Sequence, residues 1–236
     1  MVAVCKICDV VFKIEYRYDF TFKILKDYLY DGEYSEFETI EISDNDIDLE
    51  LSFSNGDASS AEHLAILRKM IKVLLLKYNA VVFHGSAIKY NDKGFVFTAP
   101  SGTGKSTHTA LLKKLLEDKV SYVNDDKPII RVVDNVVYLY GSPWNGKHYL
   151  GENVKVKLEA ICLLTRGKTN VIKQISPEVA LKYLLKQTVN YDSEDSAQKL
   201  FSVISKTVNQ ARLYAMACTK DISSAKCSFE GIMYED

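Results

Sequence analysis

Apolar residues recur along this chain with two periods, and the boundaries between them predict its elements. Residues 3–54 alternate polar and apolar positions over short runs. Val10 to Tyr16, Phe20 to Leu25, Phe37 to Ile42 and Ile47 to Phe53 all read as strands. Asp31-Gly32 marks a turn, and the segment is expected to be an antiparallel β-meander packed on the rest. The carboxylates Asp44, Asp46, Asp48 and Glu50 alternate along the last run, as on a solvated strand face. They lack the glycine and terminal Glu register of a calcium loop. After Asn55-Gly56-Asp57 the period lengthens. Ser59 with Glu62 reads as a capping box opening a helix that runs to about Tyr78, and His63 is expected to be an exposed surface residue.

Ala80 to His84 is a short apolar strand that Gly85 to Ile88 continues. A turn at Asn91 to Gly94 then makes residues 80–90 and 94–99 a hairpin. Phe95 to Ala99 is a buried strand, Pro100 to Gly104 a small polar loop, and from Lys105 apolar residues fall at helical spacing. Val120 to Val123 is a strand ending in Asn124-Asp125-Asp126. Asp134-Asn135 joins the strands 129–133 and 136–140. Strands are also expected at 158–165, 170–175 and 212–218. Helices are expected from Pro177 to near Val189, from Ser196 to Asn209, and from Ile222 to Ile232, with a polar turn YDSED between the first two. No internal repeat or low-complexity segment interrupts the series. The fold class is α/β, a mixed sheet flanked by helices. A β-rich N-terminal region spans 1–57 and the main domain spans 58–236.

Composition narrows the function classes. At 236 residues, 47% hydrophobic and 26% charged, the chain can bury a substantial core. A net charge of −1 argues against bulk binding to nucleic acid or to an anionic membrane. The first residues carry no basic segment or cleavage site, and no apolar run reaches membrane-spanning length. The five cysteines then read as reduced thiols of a cytoplasmic protein. Cys5 and Cys8 form a CxxC, half of a zinc site, but no second pair or nearby histidine completes it.

The chemistry concentrates in one stretch. Strand, loop ending in Gly104-Lys105-Ser106, and helix is the context of a phosphate-binding loop. Backbone N–H groups of Ser101, Gly102, Thr103, Gly104, Lys105, Ser106 and Thr107 would cradle phosphates at the positive end of the helix. Lys105 would reach the outer phosphates and the Ser106 hydroxyl would ligate Mg²⁺. Ala99 stands where the usual pattern has a glycine, a mild change if the backbone there is ordinary. Asp125 and Asp126, at a strand end some twenty residues past the lysine, occupy the position of metal-binding and proton-accepting carboxylates. The loop Gly141 to His148 holds the only tryptophan, and reads either as a lid or substrate contact or as a surface loop anchored by Trp144.

The run VVFHGSAIKYNDKGFVFTAPSGTGKST followed by YVNDDKPII resembles the catalytic core of HPr kinase/phosphorylase, and also the phosphate-binding core of ATP-dependent phosphoenolpyruvate carboxykinase. His84, the Ser101 to Ser106 loop and Asp125-Asp126 match those families in order over residues 80–130. The later GSPWNGK segment and the strand before Arg166-Gly167 look like small HPr-kinase-like proteins, some of which phosphorylate a serine of a peptide or protein. The resemblance implies an ATP- and Mg²⁺-dependent kinase acting on a hydroxyl, first of all a serine of a protein or peptide; a small-molecule kinase with the same site and a non-catalytic nucleotide-binding accessory protein are the alternatives. Asp125 is implied as the base and Asp126 as the metal partner, with the two roles exchangeable. His84 would stand near the γ-phosphate. Lys147 or Arg166 would supply further positive charge, a guess from chemistry and loop position. HPr kinases are oligomeric, which leaves a homo-oligomer open here. Thr107 stands where HPr kinases tend to be acidic, and their long later signature is absent, which disfavours HPr itself as acceptor. Carboxykinase activity is not expected, because its substrate arginines are missing and the chain is short.

Overall fold

The computed structural model of the chain describes residues 1–188 and 194–233. β1 (Val2–Ile7) and β2 (Val10–Glu15) alternate buried and open positions and pair antiparallel. They close on Cys8 and Asp9, both at positive φ as a tight two-residue turn requires. α1 (Asp19–Leu25) comes next, then β3 (Glu38–Ile40), which joins β2 in parallel, then α2 (Asp44–Phe53). The expected β-meander is therefore corrected. Residues 1–57 are not β-rich, because two of the four expected strands are helices and the third strand is parallel.

α3 (Ala58–Tyr78) starts on an N-cap Asp57 whose side chain accepts from the Ser60 N–H at 2.8 Å, not on a Ser59–Glu62 box. Glu62 is fully buried instead. Its carboxylate accepts from the backbone N–H of Arg17 at 2.7 Å and of Tyr18 at 3.2 Å, and from the Thr21 hydroxyl at 2.6 Å. It thus caps the N-terminus of α1 from another helix, where the orphan donors and the dipole favour an anion.

The central part of the chain forms β4 (Ala80–Val82), β5 (Ser86–Tyr90), β6 (Lys93–Thr98), α4 (Lys105–Leu116), β7 (Val120–Asn124), β8 (Ile129–Val133), β9 (Val136–Tyr140) and β10 (Lys155–Arg166). β11 (Val171–Gln174), α5 (Pro177–Lys186), α6 (Glu194–Gln210), β12 (Arg212–Cys218) and α7 (Ile222–Ser228) complete it. Nine strands make one mixed sheet in the order β4-β8-β9-β10-β6-β5-β7, with β12 on β10 and β11 on β12. β10 runs parallel to both β6 and β12. Only β5 forms the expected hairpin with β6. β4 breaks off after Val82 and pairs with β8 at the far end of the sheet. The helix expected to reach Val189 stops at Lys186; Val189 and most of the YDSED turn lie outside the described residues.

The sheet is covered on both faces. α4 and α7 pack on one through Leu112, Ala225 and the β6 side chains Phe95 and Phe97. α5 and α6 pack on the other through Leu184, Leu200 and Ile204. The N-terminal strands, α1 and α2 share a third core with α3, Tyr140 and Trp144. No helix among the described residues is long and apolar enough to cross a membrane.

Candidate phosphate-binding cleft

β6 delivers the chain to Ala99, which is buried and is not among the residues at positive φ. An ordinary backbone angle explains why alanine serves here. At two later positions, 102 and 104, glycine is required. Gly102 has φ 73° and Gly104 φ 122°, with open space where a Cβ would stand, so the demand is conformational rather than steric. Gly104 is the N-cap of α4 and Lys105 its first residue. The Lys105 ammonium folds back on the loop and donates to the Ala99 carbonyl at 3.0 Å. Burial lowers its pKa, and the charge of Asp126 opposes that shift. Ser106 and Thr107 stand exposed at the head of the helix.

β7 ends in Asn124, a fully buried residue that ties two loops together. Its Oδ1 accepts from the backbone N–H of Asp126 at 2.8 Å and of Lys127 at 2.6 Å. Its Nδ2 donates to Ser142 O at 3.0 Å and reaches Trp144 O at 3.4 Å. One side chain thus joins the Asp-Asp turn to the tryptophan loop. Asp125 is only 3% exposed, and its carboxylate accepts from the Gly146 N–H. Burial raises its pKa, the Gly146 bond counters this, and the charge of Asp126 adds to the rise. Asp126 is more open. It pairs with Lys127, and its Oδ1 lies 3.6 Å from His84 Nε2.

His84 sits in the bend between β4 and β5 rather than on a strand. Thr98 donates to its carbonyl at 2.8 Å, and its Nδ1 lies 3.2 Å from Gln187 Oε1 beyond the end of α5. Burial and then the charge of Lys105 lower its pKa, so the imidazole is neutral near pH 7.

These groups face one cleft of about 710 Å³. The loop from Ser101 to Thr107, without Thr103, lines it with His84, Asp125, Asp126 and Lys147. Arg166 is not among them. It donates to the carbonyls of Gly102 and Thr103 from the outer side of the loop and lines a separate cavity of about 410 Å³, to which Thr103 also belongs.

Part of the cleft is not foreshadowed in the sequence. Phe20 and Ile24 of α1 and His63 of α3 form its far wall. His63 is therefore corrected from exposed to partly buried. Burial pushes its pKa down to about 4, and its carbonyl receives the Trp144 indole N–H at 3.1 Å. Nothing local in the sequence marks this wall, because it arises from packing between distant segments.

Ser106 and the two aspartates, hard oxygen donors of the kind Mg²⁺ takes, line the same cleft. No group of three or more His, Cys, Asp or Glu that could hold a metal occurs among the described residues. Mg²⁺ sites commonly combine one or two carboxylates with water and substrate phosphate oxygens. Cys5 and Cys8 are buried thiols; burial pushes Cys5 up to about 12 and raises Cys8 as well.

No family model matches the chain, and no curated protein matches it. Among solved structures the chain is similar to the HPr(Ser) kinase/phosphatase from Coxiella burnetii, at 11% identity and a TM-score of 0.30. The match covers 53% of this chain and 95% of that one. A likeness this slight decides nothing about the chemistry, which has to be read from the cleft.

Proposed function

We propose that the chain is an ATP- and Mg²⁺-dependent phosphotransferase that phosphorylates a hydroxyl group. One observation carries the reading: the glycine loop with Lys105 and Ser106, the pair Asp125-Asp126, and His84 all line the same cleft. Phosphoryl transfer needs mainly positioning and charge neutralisation, and this set supplies both.

The polyphosphate would lie across the loop N–H groups at the head of α4, where orphan donors and the helix dipole favour an anion. Lys105 would exchange the Ala99 carbonyl for the outer phosphates. Ser106 and Asp126 would hold Mg²⁺, which neutralises phosphate charge when bound. Asp125 would accept the acceptor's proton. Its burial and raised pKa suit a base, whereas Asp126 is more open and stands beside His84. Burial thus supports Asp125 as the base and Asp126 as the metal partner, roles that the sequence left exchangeable. A neutral His84 would donate or accept one hydrogen bond near the γ-phosphate without adding charge. Lys147, which lines the cleft, would meet the transferring group, whereas Arg166 is held by the loop carbonyls.

The test is ATP labelled at the γ-position, incubated with the protein and cell extract. Wild type should transfer label to an acceptor. Lys105→Ala should lose nucleotide binding, and Asp125→Asn should bind nucleotide but transfer poorly. Nucleotide binding with no transfer to any protein, peptide or metabolite would instead make the chain a binding module.

A further inference from the structure

The two sides of the cleft differ in chemistry. Lys105 at the glycine loop, and Lys147 and His148 on the loop that covers Asp125, bring the positive charge and the second imidazole to the cleft. The residues that α1 and α3 contribute, Phe20, Ile24 and His63, carry no charge near neutral pH, since burial keeps the imidazole deprotonated. Phe20 meets the His63 ring edge-on, with centroids 5.3 Å apart. Phe20 and Ile24 are only half buried, so α1 holds them at the cleft instead of in the core. Trp144 and Tyr149 carry this apolar surface across to the Asp125 side.

The carboxylate of Asp125 is also covered. A Cβ at Gly146 would lie 2.8 Å from Asp125 Oδ2 and 3.1 Å from Oδ1, so the loop backbone rests on the group that would take the proton. With Asp125 3% exposed beneath Gly146, the acceptor hydroxyl has to reach a buried carboxylate, which suits a slender molecule better than a serine on a folded surface.

We propose that the acceptor is a small hydroxyl compound with an apolar flank, bound with its hydroxyl toward Asp125 and its flank against Phe20, Ile24, Trp144 and Tyr149. The proposal rests on the phosphotransfer reading and names its substrate class. In the transfer, the acceptor oxygen forms a bond to the γ-phosphorus. The bond from that phosphorus to the β,γ-bridging oxygen breaks, ADP leaves, and the hydroxyl proton passes to Asp125. The flat face of the nucleotide base is the competing occupant of this wall, and the experiment separates the two.

Cell extract is divided by size into macromolecules and small molecules. Each pool is incubated with γ-labelled ATP, Mg²⁺ and the full chain, as wild type or as Phe20→Ser and Ile24→Ser. Label should enter the small-molecule pool, in a compound retained on a reversed-phase column. Both variants should raise the acceptor's KM about tenfold, the scale of one exposed apolar contact, with the Kd for ATP unchanged. Label entering only the macromolecular pool overturns the proposal and leaves the phosphotransfer reading standing. A Kd for ATP weakened about tenfold by either variant overturns it too, since the wall would then hold the base. Variants that transfer as well as wild type overturn the assignment of the flank. No label in either pool, from protein that binds ATP, removes the phosphotransfer reading and this proposal with it.

Discussion

Asp125 binds its proton more tightly in the folded chain than an ordinary aspartate does, because burial and the neighbouring Asp126 both disfavour its charge. The shift acts on both rate and stability. In the proposed role of base Asp125 would act only when deprotonated, so transfer should rise with pH and level off above the raised pKa. Stability responds with the opposite sense. Between the ordinary value of 3.8 and the raised one, the folded state holds more protons than the unfolded state, so stability falls as pH rises through that window. Asp125→Asn should remove this slope, because an amide oxygen still accepts from the Gly146 N–H and carries no charge. We therefore expect transfer to drop about 10²–10⁴-fold while stability at neutral pH holds or rises. Urea midpoints of both proteins across that window, beside a pH–rate profile, check both arms. Gly104 gives a second expectation at this scale. At φ 122° an alanine is strained although there is room for its methyl. Strain of about 1–2 kcal/mol in the loop predicts roughly tenfold weaker nucleotide binding by Gly104→Ala, read by titration calorimetry.

The junction of β7 with the tryptophan loop depends on one buried amide. Asn124→Ala would strand the N–H groups of Asp126 and Lys127 and the carbonyl of Ser142. A loss of about 1–3 kcal/mol is expected for unsatisfied buried groups, measurable by denaturation, together with reduced transfer. Elements like this one show what the sequence disclosed. The strand, loop and helix around Lys105 were legible because the apolar period changes from two to helical across a glycine loop, and the structure has β6 and α4 there. The N-terminal helices were not. In α2, Ile47, Leu49, Leu51 and Phe53 alternate as in a strand, yet Ile47 and Glu50 face the core while Leu49 and Phe53 are exposed. Alternation there was surface composition. The readable signal was Ser43 with Asp46, which form a reciprocal capping box. In α1, Phe20, Phe22 and Ile24 mislead in the same way, because the buried positions are Thr21 and Leu25. Thr21 is buried by its bond to Glu62, forty-one residues away, which no local pattern reports. The phosphate side of the cleft was therefore written in one contiguous stretch, and its far wall was not.

Residues 1–57 and the larger remainder read as separate regions in sequence, but their apolar surfaces meet in one core. Phe12 and Ile14 of β2, Ile47 of α2, Ile66 and Met70 of α3, Tyr140 of β9 and Trp144 of the loop all belong to it. A boundary at residue 57 would expose the buried side of α3 and take away the Phe20–Ile24 wall of the cleft. The N-terminal layer and the sheet domain should then unfold together. Trp144, the only tryptophan, reports on this directly, since it lies in the shared core and donates to His63 at the cleft. Its fluorescence and the far-ultraviolet circular dichroism of the whole chain should trace one denaturation curve. Ile14→Ala, at a fully buried site of the N-terminal sheet, should cost about 2–5 kcal/mol. If the regions form one unit, it shifts both curves by the same amount and leaves them superimposed. If the N-terminal layer instead unfolds by itself, the fluorescence curve moves to lower denaturant while most of the circular dichroism signal, from the large sheet and its helices, stays behind. The first outcome ties the far wall of the cleft to the stability of the whole molecule, so that the Phe20–Ile24 wall and the glycine loop fold as one unit.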